Sequence, residues 1–517
     1  MIVRKRTVSV LLVLALMLSI MGCGEKTSGV FQNGTAVSEI DFTKEPVTIT
    51  YLTIGDKPSN GRTEEVIEKL NEILLKRVNA KLDIYYVGWD NYLQNYNKTL
   101  EAENLNIDLV GTGTDWLDAW PNVIKGNFMP ISEEMLKKYC AVTYTNVSKN
   151  IWDSCTYNGD VYFIPENEYS QWTNHGFIYR EDIAKEAGLS QINSFADLDK
   201  YFTCVTTKHP EMTAWDIQGD NSEIALGYLM SSMRYAPIYE LSSYGLWGED
   251  LDHAGKIMSP YYKGDEFVEF ARLMKKWNKM GVWKDDPSMV GDNEAEFYNG
   301  ESSVIQHHTQ KFYTDVKPNM AITNPEVQLG FYWFGKESGN LYRLSNLHGA
   351  MAISAKSKNP ERALLVYDML RNDEECYRLF RYGIEGIQYS ITDDGMLEKP
   401  SGYNAAKDSI VTNFYWGRRD EFEIPNSSYA WDEYYELVNS YEHVVVPYPW
   451  EGIPFATPQI NAQIQDIVAI CDKYMPKICS GRYSESPEVI VDSFREELMK
   501  AGFERITGQL QRIYNAQ

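Results

Sequence analysis

Five stretches of the chain set an aromatic ring beside side chains able to hold hydroxyl groups. They are Thr114-Asp115-Trp116, Glu168-Tyr169-Ser170-Gln171-Trp172-Thr173-Asn174-His175, Thr213-Ala214-Trp215-Asp216, Tyr332-Trp333 and Tyr415-Trp416-Gly417-Arg418. An aromatic face gives apolar contact to the C–H face of a sugar ring, while carboxylates, amides, guanidinium and indole N–H groups satisfy its hydroxyls. The chain holds 13 Trp, 36 Tyr and 19 Phe, an excess that leans toward carbohydrate, although any single ring is more often core. Asp115, Trp116 and Trp172 are the strongest candidates for contact with such a ligand. Patterns for covalent chemistry are missing: there is no G-x-S-x-G elbow, no H-E-x-x-H, no P-loop and no G-x-G-x-x-G. His307-His308 is the one histidine pair, and neighbours on a strand point to opposite faces, which suits a single metal badly. A glycosidase needs two carboxyls across the scissile bond, which sequence spacing does not reveal. No catalytic residue, no metal and no cofactor is therefore expected, and an enzyme is the minor reading.

The elements that must position these residues begin at Pro46. The run Val47 to Ile54 is β-branched and aromatic and predicts a strand; a helix follows, with Ser59 or Asn60 as its cap and Val66, Leu70, Ile73 and Leu74 on one face. Strands are predicted again at 82–87 and 107–111, with a helix at 91–101 between them. Strand, helix, strand, helix, strand opens a doubly wound parallel sheet, whose ligands bind beyond the carboxyl ends of the strands. That rule puts Asp56 and Lys57, Gly88 and Trp89, and residues 112–116 along one rim. Further on, Asn158-Gly159 predicts a tight turn into a buried strand stopped by Pro165. Helices are expected from Ser194, around Phe267, Phe270, Met274 and Trp277, from the Asn359-Pro360 start (Asn as cap, Pro in the first turn), and from Ser486-Pro487 to Gly502.

The N-terminus carries its own chemistry. Arg4, Lys5 and Arg6 precede an apolar run from Val8 to Ile20 that is too short to span a bilayer, and Ile20-Met21-Gly22-Cys23 resembles a bacterial lipobox. Cleavage before Cys23 and lipidation of its thiol would leave 495 residues outside the cytoplasm, tethered through a spacer of residues 24–44. The formal charge is −24, and loss of the three leader cations takes it to −27. Such a balance excludes nucleic acid and anionic lipid as partners. Six further cysteines show no C-x-x-C or His/Cys cluster, and free buried thiols are expected.

Several segments together resemble the family 1 extracellular solute-binding proteins of bacterial ABC (carbohydrate) importers. Tyr157-Asn158-Gly159-Asp160-Val161-Tyr162-Phe163-Ile164-Pro165 is similar to that family's NGKxYxxP motif, and Gly176 to Asp182 to its "YRKD" helix start. Phe297 to Val304 and Ala352 to Ala363 resemble its later glycine-containing and SKNPE segments. Residues 41–57 and 501–514 point to a lipoprotein subgroup with a C-terminal domain of unknown function. The resemblance implies an α/β, two-lobed, periplasmic-binding-protein-like (type II) fold with a hinge and an interlobe cleft. The expected division is a leader at 1–22, lobe 1 at 45–165, lobe 2 at 166–345, a return to lobe 1 at 346–420, and a helical region at 421–517 completing lobe 2. It also implies a membrane-anchored monomer that captures a carbohydrate, an oligosaccharide, and passes it to importer permease subunits. The expected contacts are Asp56, Trp89, Asp115, Trp116, Glu168, Trp172, His175, Trp215, Trp333, Trp416 and Arg418, with Cys23 lipidated. Glu385, in a segment resembling the family's "YGIEG", reaches the cleft or braces the hinge. The sequence departs from the family around 171–175 and 448–457, where ligand would bind. A binding protein for a peptide or other non-sugar solute, and a sugar-sensing accessory lipoprotein, are the alternatives.

Overall fold

The computed structural model describes residues 34–166, 175–217, 223–284, 293–412, 415–453 and 455–516. Its first sheet grows from the β-branched run β1 (Val47–Ile54), which leads through α1 (Arg62–Val78) to β2 (Ala80–Val87), and through α2 (Tyr92–Glu101) to β3 (Leu109–Thr112). β1 pairs in parallel with β2 along its whole length and with β3 at Tyr51 and Leu52, so the carboxyl ends of all three strands lie on one edge. α1 buries Val66, Leu70, Leu74 and Val78, four residues apart or nearly one turn each, against this sheet, while Ile73 is only half-buried. Its acidic first turn and basic last turn complement the helix dipole. Gly61, not Ser59 or Asn60, is the N-cap residue; Asn60 accepts from the Arg62 amide at 3.0 Å instead.

The chain then makes the tight turn at Asn158 and Gly159, both with positive φ as a two-residue hairpin with right-handed strand twist requires, and enters β4 (Phe163–Pro165). Beyond it lies a second unit. β5 (His175–Arg180) is its central strand, followed by α3 (Phe195–Lys208), α4 (Glu223–Ser232) and α5 (Glu266–Met280). β6 (Val304–His308) and β7 (Leu329–Trp333) flank β5 on either side, both antiparallel to it. The return strand β8 (Ala350–Ile353) inserts between β3 and β4, antiparallel to each, and completes a five-stranded sheet in the order β2-β1-β3-β8-β4. The doubly wound reading thus holds for the parallel half of the sheet, and the other half is antiparallel.

After β8 come α6 (Pro360–Asn372) and α7 (Glu374–Tyr382), then α8 (Trp431–Tyr441), α9 (Pro458–Ser480), α10 (Pro487–Lys500) and α11 (Phe503–Tyr514). Asn359 stands at the N-cap of α6 without a side-chain cap bond, and the Ser357 hydroxyl accepts the Asn359 amide instead. Two large cores result. One joins Ile49 to Ile164 with Leu347 to Phe380 and Trp416; the other joins Phe177 to Tyr342 with Tyr448 to Leu510. Along the sequence, membership of these cores changes from Ile164 to Phe177, from Tyr342 to Leu347, and again between Trp416 and Tyr448. All six described cysteines are buried, and no disulfide joins any two of them. Among the described residues no helix is long and apolar enough to cross a membrane.

Candidate ligand cleft

The parallel carboxyl edge of the first sheet carries a stack of three indoles. Trp89 follows β2 and Trp116 follows β3; their rings stack at 6.2 Å and 19°. Trp416 lies beneath Trp116 at 6.4 Å, within 4° of parallel. Tyr92 packs against both upper rings, at 5.7 Å from Trp89 and 6.0 Å from Trp116. The stack runs from core to solvent: Trp416 is 1% exposed and Trp89 47%. Each lower indole is also fixed by its N–H, Trp416 donating to the Thr112 carbonyl and Trp116 to the His348 carbonyl, both at 2.9 Å. The close packing needs glycine. A Cβ on Gly111 would meet the Trp416 ring at 2.8 Å, and one on Gly113 would meet the His348 carbonyl oxygen at 2.3 Å. Beside the stack, the Asp115 carboxylate faces His348 Nδ1 at 2.8 and 3.0 Å. At the rim, Asp56 accepts from the Trp89 amide at 3.3 Å.

The facing wall comes from the second unit and is of another kind. Register sets His175 at the start of β5 opposite His308 at the end of β6. The rings of His175, His307 and His308 lie 4.4 to 5.9 Å apart. Glu223, the first residue of α4, sits 2.7 Å from His175 Nδ1 and accepts from the Gln306 amide at 2.8 Å. Nearby, Tyr448 donates to Glu240 at 2.6 Å and accepts from the Tyr239 amide.

Charge effects tie the walls together. Burial raises Tyr92 to about 12, and Glu223 and Asp115 add to that rise from either side of it. Burial also raises Glu240 to about 8; the Asp115 carboxylate on the other wall adds to the rise. Desolvation drives His308 well below the usual histidine range, and His348 opposite is among the charges that push it further. His307 is pulled down to about 3, chiefly by desolvation and then by His175. Desolvation likewise opposes charge on His175 and Glu223, but their mutual attraction outweighs it, holding the imidazole up and the carboxyl down. Glu223 keeps 57% of its side-chain surface open to water.

Asp56, Trp89, Asp115, Trp116 and His175 are thus brought to one cleft. Trp215 is not: it is a core residue, edge-on to Phe177 at 4.8 Å and to Trp283 at 6.1 Å. Trp333 is likewise buried, packed against Tyr441 of α8. Trp416, expected as a ligand contact, is instead a buried ring beneath Trp116. Arg418 is engaged by Asp420 at 2.6 Å, and Glu385 stands exposed next to Tyr389. Glu168, Trp172 and Cys23 lie outside the described residues. Sequence reasoning missed Tyr92, Glu223, Tyr239, Glu240 and His348, and set His307-His308 aside. One signal was available: of seven histidines in the chain, four (His175, His307, His308 and His348) gather here. Strand alternation did not separate His307 from His308 because β6 ends at that pair. Among the described residues no three His, Cys, Asp or Glu side chains converge as metal ligands.

Comparison with known proteins bears on the family and the fold. Residues 61–375, more than half of the chain, match the family model described as bacterial extracellular solute-binding protein, and residues 451–516 match a domain of unknown function, DUF3502. A carbohydrate ABC transporter substrate-binding protein of Streptococcus pneumoniae serotype 4 is 20% identical over 97% of this chain and 96% of its own length. Among solved structures, the N-glycan transport solute binding protein NgtS of S. pneumoniae, in complex with Man1GlcNAc, aligns with a TM-score of 0.68 at 18% identity, covering 91% of this chain and 99% of that one. The alginate-binding protein AlgQ2 without calcium ion aligns with a TM-score of 0.68 at 16% identity, covering 92% and 99%. These likenesses establish the two-lobed solute-binding fold.

Proposed function

Because the chain belongs to the bacterial extracellular solute-binding protein family, we propose that it captures a carbohydrate, an oligosaccharide, between its lobes and delivers it to an ABC importer. The observation that carries this reading is the solvent-facing Trp89–Trp116 stack set beside the Asp115–His348 pair. Indole faces suit the C–H faces of pyranose rings, and the carboxylate, imidazole and amide groups around them suit equatorial hydroxyls. The S. pneumoniae relative, a carbohydrate transporter subunit, supports the class of ligand.

The mechanism is closure. Trp89, Trp116 and Asp115 lie on one wall, and His175, Glu223 and Gln306 on the other. A sugar that touches both walls favours the closed form through contacts the open form lacks, and the importer recognises the closed form. No bond is made or broken. The family places the chain outside the cytoplasm. A lipid on Cys23 would tether it as a monomer beside the permease, with residues 24–44 as a spacer.

The test is thermal unfolding and intrinsic Trp fluorescence of residues 24–517 across a panel of oligosaccharides, with peptides as controls. A ligand of the folded state raises the midpoint in a concentration-dependent way, by about 2.7 kcal/mol of stabilisation at a hundredfold excess over Kd. A shift with one sugar series and no turnover supports the reading. A shift with peptides alone refutes the carbohydrate assignment, and turnover of the sugar refutes transport.

A further inference from the structure

The two walls differ from a general sugar site in the charges they present. Asp56 and Asp115 contribute carboxylates on the first wall, and Glu223 one on the second. Among the described residues, the cationic partners of the latter two are histidines, His348 and His175. The charges that act on Tyr92, Tyr239, Glu223, Glu240, His175 and His308 are those of carboxylates and histidines. Lys311 acts on His307, but its ammonium is already held between Glu294, at 2.8 Å, and Asp315. Arg418 is held by Asp420. Lys57, next to Asp56, is turned to Glu64 at 2.5 Å.

A sugar carboxylate is recognised through an arginine fork or a lysine ammonium, and an anion enclosed without one bears its full desolvation cost beside like charge. Building repulsion against a competitor is as effective a source of specificity as adding contacts to the preferred ligand. Resting on the carbohydrate reading above, we infer that the cleft takes neutral oligosaccharides and rejects uronic-acid and sialic-acid oligosaccharides of the same length and linkage. The indole stack reads the apolar ring faces. Asp115 and Asp56 accept from hydroxyls and repel any carboxylate standing in the same position. The AlgQ2 neighbour shares the fold at 16% identity and is named as an alginate binder; by this inference its ligand class does not carry over.

The experiment is a thermal-shift and calorimetric panel on residues 24–517 at pH 7.5. It sets neutral hexose and N-acetylhexosamine oligosaccharides of two to six units against oligouronates and sialyl-oligosaccharides of matching length. The expected result is binding by a neutral series, with acidic analogues at least a hundredfold weaker. In Asp115→Asn, whose unliganded midpoint is read in the same scan, the gap should narrow about tenfold through gain by the acidic ligands. Acidic oligosaccharides binding as tightly as neutral ones would overturn the inference and leave the carbohydrate reading in place. An undiminished gap in a folded Asp115→Asn would overturn the electrostatic cause assigned here. Binding of neither class would overturn both readings.

Discussion

The two walls of the cleft solve different problems with different side chains. The first is an aromatic wall, three indoles deep, bolted to the backbone by two N–H donations and seated over glycines that leave room for nothing larger. Its geometry does not depend on the protonation of its rings. The second wall is built of groups that titrate: three histidines and two glutamates at the ends of β5 and β6, the start of α4 and the loop of Tyr239 and Glu240. Shape comes from one lobe and adjustable polarity from the other. On the proposed function, a ligand held only by the first wall would bind without closing the cleft, and contact with the second wall would make closure part of binding.

The sharpest break of that comparison is Trp416→Ala. Truncating a fully buried Trp costs about 3–5 kcal/mol, and here it also orphans the Thr112 carbonyl and removes the floor under Trp116. The unfolding midpoint should fall by several degrees; an unchanged midpoint would mean the first wall owes nothing to its buried layer. Trp116→Ala should act on affinity more than on folding. As the central, half-buried ring it is placed like an interface hot spot, where truncation costs about 2 kcal/mol, or about thirtyfold in Kd. The same titration on Trp89→Ala, at the exposed end of the stack, should give the smaller loss. Equal losses at the two positions would flatten the gradient from core to solvent that the structure displays.

How much of this was legible in the sequence depended on distance along the chain. The β1-α1-β2-α2-β3 opening could be read because its pattern is local, and the rule for parallel sheets then put Asp56, Trp89, Asp115 and Trp116 on one edge. His348 could not be paired with Asp115 from 233 residues away, nor Glu223 with His175, since both pairings are set by the packing of distant segments. Trp215 beside Asp216 looked as promising as Trp116 beside Asp115. What separates them is burial against Phe177 and Trp283, which only the packed second core decides.

The smallest effect is on the second wall alone, and it has a sign on each side of neutrality. Burial first, and the Asp115 and Glu451 charges after it, raise the Glu240 carboxyl to about 8. The folded chain therefore keeps a proton that the unfolded chain releases near 4.5. That contribution to stability is full below 4.5 and is lost as pH rises through 8. His307 and His308 act in the opposite sense. Desolvated and neutral when folded, they take up protons near 6.5 when unfolded, so their contribution is present above 6.5 and lost as pH falls below it, through about 3 for His307. His175, held up by Glu223, offsets part of the acid-side loss, being most stabilising below 6.5. Above pH 6.5 the Glu240 and His175 contributions both fall, so the unfolding midpoint should decline by a few degrees between pH 6.5 and 8.5. Glu240→Gln retains an oxygen to accept the Tyr448 hydroxyl but cannot ionise, and should shrink that decline to the His175 share while leaving the limb below pH 4.5 unchanged. His307→Gln should do the reverse, raising the midpoint at pH 4 relative to the parent while following it above pH 6.5. Parallel curves for all three proteins would mean that the second wall does not titrate within the folded chain, and the contrast between the walls would reduce to shape alone.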